Sequence, residues 1–431
     1  MSRHQLQLSA SKAVLATLPT TDFLWRPQGK QSSFDTSLSP RAEELGAVPP
    51  ENVELIRLAV LAYLVDRTAE RPTRGWAREL ELVVPVFDPD RWAAVGDRVN
   101  AMLGFLTGDV WDVSFVKAPS PANKKATFEV EPVERVTLFS GGADSLCGLL
   151  MSLDANVVPH LVSHSNWTIV SGAQRTLLAA LKPFVTASLT RDFVRLGRQA
   201  RQIGSGLEFP LETTSRARSL LFIALGLAAA AVRQAELWVP ENGFASLNLP
   251  LAQERRGALS TRTTHPHLLA ELDEIAKAVG IGVALQAPFE DKTKGEMFAQ
   301  VAAAYGKKDA AAMLSASHSC ARSGANYSGF RPSTHCGVCF GCLVRRAAFA
   351  AAGLNDGTVY IEKSLRTQPK KRAEWLKKRR EDVAAIEYRV KRPYGIADVL
   401  AASLPLRVDP DVALDIANRG VAEFALLWIP R

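Results

Sequence analysis

Cysteine is scarce in this 431-residue chain: there are five, and four of them fall between positions 320 and 342. So few and so clustered, they exclude a disulfide framework of the extracellular kind and point to metal binding. Long apolar runs are missing too. The longest, Leu220–Val232, has thirteen residues and is closed by Arg218 before and Arg233 after. A membrane span needs about 20, so the run reads as a buried helix and no membrane contact is expected. The first residues, MSRHQLQLSASKAVLATL, are polar where a secretory signal would be apolar, and a cytoplasmic protein is the expectation. No Gly-x-x-x-x-Gly-Lys-Ser/Thr pattern occurs, which argues against an ordinary γ-phosphate-transferring P-loop.

What is present suits a large globular protein. Hydrophobic residues make up 47% and charged residues 22%, enough to fold a core without staples, and the length suggests two or three domains. The net charge of +8 is local: Lys363–Arg392 holds twelve Lys/Arg against four Asp/Glu, and the rest is neutral. Such a stripe meets nucleic acid, an acidic partner or only water. Within it Leu376, Val383, Ile386 and Val390 recur at helical spacing, so one face packs and the charges point outward.

Residues 1–117 read as one unit with mixed strands, a helix over Asn52–Asp66 with one apolar face, a strand over Leu80–Phe87 and a helix starting after Asp88-Pro89-Asp90. A Pro/Ser/Lys stretch beginning at Ala118 forms a linker, 118–132. From 133 to 355 short apolar runs alternate with helical patterns. The strands are expected at Arg135–Phe139, Val157–Ser163, Val185–Leu189, Leu237–Pro240 and Gly282–Ala287. Helices are expected at Ala173–Leu181, Thr214–Gln234, His267–Ala278 and Lys294–Tyr305. This alternation implies an α/β fold, a doubly wound parallel sheet whose ligands bind at the carboxyl ends of its strands. Residues 356–431 form a basic helical C-terminal region ending in a helix over Val412–Leu427.

Two clusters carry chemistry. Ser140-Gly141-Gly142-Ala143-Asp144-Ser145 directly follows the strand Val136–Phe139 and precedes a helical segment. Paired glycines let the backbone approach an anion, and the amides that start the helix offer donors at its positive end. A helix-capping turn is the plainer alternative, and the hydroxyls at both ends and the strand-loop-helix setting weigh against it. Asp144 beside a polyphosphate is unfavourable unless it helps to hold Mg²⁺ or orients a loop. The second cluster is Cys320, Cys336, Cys339 and Cys342, in which C-x2-C-x2-C sits on a glycine-containing knuckle. Four thiolates suit tetrahedral Zn²⁺, and an iron–sulfur cluster is the rival. His318 and His335 flank this set as outer or surface groups, and Cys147 reads as a small buried hydrophobe.

The loop resembles that of the PP-loop ATP pyrophosphatases, which hold the β- and γ-phosphates while a substrate attacks the α-phosphate, giving an adenylate and pyrophosphate. The order of that loop, Ser-Arg-Ala-Arg-Ser at 215–219, Lys-Thr-Lys-Gly-Glu-Met at 292–297, Ser-Cys at 319–320 and Cys-Gly-Val-Cys-Phe-Gly-Cys at 336–342 is similar to the 7-cyano-7-deazaguanine synthase (QueC-like) family over about 133–355. The resemblance implies a sheet of the adenine-nucleotide α-hydrolase (HUP-like) type with a zinc knuckle, plus an N-terminal α+β domain and a helical tail. It also implies ATP, Mg²⁺ and Zn²⁺, and a ligase forming C–N bonds on a 7-deazapurine-like carboxylate. Asp144, Ser145, Lys294 and Arg218 would be catalytic. Leu138, Phe139, Ser140, Gly141, Gly142, Ala143, Asp144, Ser145 and Leu146 would line the nucleotide, and the four cysteines would hold zinc. The first cysteine gap is longer than usual in the family, and Glu254–Pro266 replaces a segment that helps read the deazapurine.

The extensions resemble QueC-like proteins of Qat-type anti-phage systems, which implies partner proteins of a defence operon and capture of the activated group by a partner amine. A tRNA-thiolating enzyme holding RNA through 363–392, and a non-catalytic nucleotide-binding subunit, are the alternatives. A homodimer, the acceptor and the role of 1–117 stay open.

Overall fold

In the computed structural model, residues 1–8, 11–118, 130–165, 168–210, 212, 215–251, 262–320, 334–365 and 380–428 are described. Their strands are β1 (Ser2–Leu8), β2 (Asp22–Trp25), β3 (Asp35–Thr36), β4 (Glu79–Val86), β5 (Val110–Lys117), β6 (Arg135–Leu138), β7 (His160–Ser165), β8 (Arg191–Gly197), β9 (Glu236–Trp238) and β10 (Leu285–Gln286). The helices of the N-terminal part are α1 (Pro50–Thr68), α2 (Pro89–Ala93) and α3 (Gly96–Thr107). Next come α4 (Ala143–Asp154), α5 (Thr168–Leu181), α6 (Arg218–Arg233), α7 (Gly243–Leu247), α8 (Pro266–Ala278), α9 (Lys294–Tyr305), α10 (Lys307–Ala316) and α11 (Phe340–Ala351). The C-terminal part adds α12 (Glu381–Lys391), α13 (Ile396–Leu400) and α14 (Pro410–Ala425). No helix of the described residues is long and apolar enough to cross a membrane. Most of the linker, most of Glu254–Pro266 and residues 366–379 of the basic segment, with Leu376, lie outside the described residues.

The larger sheet runs β10-β9-β6-β7-β8-β3, parallel throughout except for β3. The chain moves from β6 through β7 to β8, then returns to the other side of β6 for β9 and β10. The strand order therefore reverses between β6 and β9, the place where open α/β sheets bind ligands. Side chains on the two faces enter different cores: Val136, Leu138 and Val162 meet α6, while Phe139 and Leu161 meet α4, α5 and α9. Helices on both faces make the sheet doubly wound.

Two expectations give way here. The run Val185–Leu189 forms no strand; the sheet takes Arg191–Gly197 instead, where Val194 and Leu196 are buried while Phe193 before them and Arg195 between them are exposed. Alternation won over apolar content, because a strand flanked by a short edge strand buries only part of its surface. The N-terminal strands do not form a mixed α+β arrangement. They make a four-stranded sheet, β2-β1-β4-β5, with every pair parallel. Parallel neighbours need long crossovers, and α1, α2 and α3 provide two of them.

Helix α1 departs from its expected single apolar face. Sixteen of its nineteen residues are buried, among them Glu54, Arg57 and Asp66. It lies between two partners, β1 and β4 on one side and α6 on the other, so it joins both sheets through one continuous core. Buried polar groups on such a helix need partners. Glu54 accepts from the indole N–H of Trp92 at 2.8 Å, and Arg57 donates to the carbonyls of Pro40 and Pro85 at 3.1 and 3.2 Å. The short β3 adds a further splice, pairing antiparallel with β8.

Asp66 ties the N-terminal part to the segment before α6. One carboxylate oxygen meets Arg78 at 2.9 Å, and the other accepts the backbone N–H of Ala217 at 3.0 Å. Arg78 also pairs with Asp109 at 2.5 Å, and Arg216 donates to the carbonyl of Thr107 at 2.7 Å. Burial opposes ionisation of Asp109, yet the hydrogen bond and charge of Arg78 hold its pKa below the usual carboxylate value. Its contribution is therefore present at neutral pH and is lost as the pH falls through that depressed value. Removing the Asp66 carboxylate takes one of two close carboxylates from the buried Arg78 and leaves the Ala217 amide without its acceptor. Asp66→Ala is expected to lower unfolding free energy by about 3–5 kcal/mol in urea melts, and a loss under about 1 kcal/mol would refute this linkage.

Candidate active site

The loop between β6 and α4 owes its shape to Gly141, whose φ of +84° belongs to the left-handed region. A side chain there would also press on Gln174, its Cβ 3.0 Å from Gln174 Cγ. Internal hydrogen bonds hold the turn. Ser145 Oγ donates to the Gly142 carbonyl at 2.9 Å, the Gly142 N–H donates to Ser140 Oγ at 3.2 Å, and the two hydroxyls lie 3.2 Å apart. From α5, Gln174 donates to the Ser140 carbonyl at 3.3 Å. Gly142, the N-cap of α4, supplies no side-chain cap, so the first amides of the helix face the mouth of the loop. This is the arrangement that receives an oxyanion.

Beside it lies an ion cluster drawn from three elements. Lys294, the first residue of α9, places its ammonium 3.0 Å from Asp144 Oδ2. Asn242, shortly after the β9 end, donates to that same oxygen at 3.2 Å and to Glu241 at 3.3 Å. Burial, then the charge of Asp144, holds the Glu241 carboxyl well above the ordinary range. Burial alone would lower Lys294, but Asp144 and Glu241 outweigh it and its pKa is raised. One buried lysine therefore faces two carboxyl groups in one tightly coupled cluster. The other oxygen of Asp144, Oδ1, is buried and meets no N–H or hydroxyl donor among the described residues.

The other residues singled out in the sequence fall in different surroundings. The side chains of Leu138, Phe139, Ala143 and Leu146 belong to the cores, which leaves only main chain for a nucleotide at those positions. Arg218 begins α6 at the same edge of the sheet. Burial lowers its pKa; Tyr63 and Arg67 of α1 are its charged neighbours, and its own charge helps burial depress His164. Among the described residues no hydrogen bond or ion pair joins Arg218 to Asp144 or Lys294. Cys147 is fully buried, and burial pushes its thiol up, as suits a small core side chain.

Cys320, Cys336, Cys339 and Cys342 come together, with all four sulfurs within 4.8 Å of one another. The Cys336 and Cys342 sulfurs are 3.8 Å apart. A tetrahedral ion with metal–sulfur bonds of about 2.3 Å sets its ligands about 3.8 Å apart, so the spacing fits a single zinc ion. Backbone N–H groups of Cys336 and Cys339 point at the sulfurs of Cys320 and Cys336 at 3.4 and 3.3 Å, as donors that stabilise thiolates do. His335 is buried rather than a surface group, and its ring accepts the Ser319 N–H at 3.1 Å. His318 stands next to it, with ring centroids 4.7 Å apart. The backbone N–H of His318 donates to the Gly141 carbonyl at 2.9 Å, which links the cysteine cluster to the phosphate loop.

Glu241, Asn242, Gln174 and Glu423 escaped the sequence reading. Glu241 and Asn242 carried one usable signal: they follow the strand that borders β6 at the point of reversal. Glu423, in α14, accepts from Gly295 and Thr293 beside Lys294, and burial pushes its carboxyl up to about 7.

No family model and no solved structure matches the chain. Two curated proteins do. The 7-cyano-7-deazaguanine synthase of Novosphingobium aromaticivorans is 29% identical over 242 residues, 52% of this chain and 93% of that protein. The 7-cyano-7-deazaguanine synthase 1 of Sphingopyxis alaskensis is 29% identical over 248 residues, 52% of this chain and 97% of that protein. Together with the cysteine cluster, these relatives support a QueC-like, ATP-dependent reading for about half of the chain.

Proposed function

We propose that this protein uses ATP to adenylate the carboxylate of a 7-deazaguanine-type substrate and then passes the activated group to nitrogen. The acceptor would be ammonia, giving an amide as AMP leaves and then a nitrile when a second adenylation carries off the amide oxygen with AMP, or an amine on a partner protein in an anti-phage defence setting. One observation carries the reading: an uncapped phosphate-type loop lies at the reversal point of the sheet beside the Asp144–Lys294 pair. The names of the two relatives supply the substrate class.

In this reading the amides of Gly142–Ser145 and the hydroxyls of Ser140 and Ser145 hold the leaving pyrophosphate. As the substrate carboxylate attacks the α-phosphate, negative charge grows on the bridging oxygen and Lys294 meets it with a fixed cation. Asp144 pre-orients Lys294 in the free protein. With its open Oδ1 and its neighbour Glu241, it also forms an oxygen-rich corner that fits Mg²⁺, which would offset phosphate charge. Zinc at the four cysteines would hold the segment whose backbone meets Gly141, and so would have a structural part.

Three measurements test this. Purified protein given ATP and a 7-deazaguanine carboxylate should release AMP and pyrophosphate in equal amounts, and ADP release, or no turnover with any such carboxylate and cognate partners, would refute the assignment. Lys294→Met should lower kcat/KM by about 10²–10³-fold in a folded protein, the cost of losing one preorganised charge at the leaving group; an unchanged rate removes Lys294 from the mechanism. Metal analysis should find one zinc per chain, and its removal by a chelator should lower the melting temperature. Visible iron–sulfur absorption would contradict the zinc reading.

A further inference from the structure

We propose that the C-terminal helix α14 is part of this site and that Glu423 is a positioning residue which fixes Lys294 for its work on the leaving group; the catalytic half of this statement rests on the ATP-dependent reading above.

Lys294 occupies an awkward place. As the first residue of α9 it sits at the positive end of the helix, which repels an ammonium and has no natural means of holding a flexible four-carbon stem. Thr293 and Glu296 form a capping box there, but Glu296 is also claimed by Arg419. Glu423 supplies a further hydrogen-bond acceptor from 130 residues beyond Thr293 in sequence. Its two oxygens accept the Gly295 N–H at 3.1 and 3.2 Å, and one of them also accepts the Thr293 hydroxyl. Both neighbours of Lys294 are thus tied to one carboxylate.

The contact is built into the packing. A Cβ at residue 295 would lie 2.3 Å from Glu423 Oε1, so only glycine admits the carboxylate. One turn before Glu423, Arg419 donates to the Asp291 carbonyl at 2.9 Å. One residue after it, Phe424 packs edge-on against Phe244 with centroids 5.6 Å apart. Phe244 lies in α7, whose N-cap is the Asn242 that holds Asp144. The same helix therefore braces both walls of the ion cluster, the one carrying Lys294 and the one carrying Asn242.

The test uses the full-length protein and ATP binding by calorimetry. A hydrogen bond to a charged group is worth enough that Glu423→Ala should weaken ATP about tenfold, whereas Glu423→Gln, whose amide oxygen still accepts from Gly295, should stay within about threefold. In a Lys294→Met background Glu423→Ala should cost nothing more, because the effect travels through Lys294. If Glu423→Ala does not fold, Glu423→Asp takes its place, keeping the charge but losing the reach. ATP binding equal to wild type, or the same loss with and without Lys294, overturns the proposal. Hydrogen exchange without nucleotide separates the two readings. The Gly295 amide should exchange faster in Glu423→Ala, and unchanged exchange overturns the positioning role. A wild-type protein that binds no ATP sinks the ATP-dependent reading and leaves this exchange measurement to decide Glu423.

Discussion

Each helix that follows a parallel strand starts at the carboxyl edge of the sheet, so unpaired amides and positive dipole ends gather there and call for negative charge. In this molecule much of that charge arrives from distant parts of the chain. Asp66 of α1 accepts Ala217 N–H ahead of α6, and Glu423 of α14 accepts Gly295 N–H in α9. Asp382 of α12 does the same for Phe340 N–H at the start of α11, the helix that bears Cys342. Helix α4 differs: no side chain caps it, and its open end lies at the reversal point of the sheet. The first turn of α4 carries one acidic residue of its own, Asp144, and that carboxylate is paired with Lys294.

Neither end of the chain is a loose attachment. The N-terminal sheet shares its core with the larger sheet through α1 and α6 and grips the segment 216–217 just before Arg218. The C-terminal helices cover the cysteine cluster and share a core with it. The matched relatives correspond to about half of this chain, so whatever these flanking parts do to the chemistry is particular to proteins that carry them.

Electrostatics inside the site follow from the same crowding. Three ionisable groups, Asp144, Glu241 and Lys294, converge in a region with little water, and only one is a cation. Burial and the charge of Asp144 both push the Glu241 carboxyl upward, while Lys294 pulls it down. Through His318 and Gly141 the loop is also joined to the cysteine cluster.

The features legible in the sequence were local ones. Ser140–Ser145 needs only its own glycines, hydroxyls and flanking strand and helix, and C-x2-C-x2-C needs only a turn, so both could be read from consecutive residues. Lys294 was visible as part of a short motif. Val185–Leu189 misled because apolar content does not say which segment a sheet will accept, and the parallel N-terminal sheet was hidden because strand partners are set by crossovers. Glu241, Asn242 and Glu423 carry no local mark of their role. By itself the sequence determined the glycine–serine loop after β6, the C-x2-C-x2-C turn and the alternation of strand and helix, all effects of neighbouring residues. Only the tertiary structure decided which carboxylates meet Lys294, because those contacts join groups about 50 to 150 residues apart and exist only once the strand order has placed them at one edge.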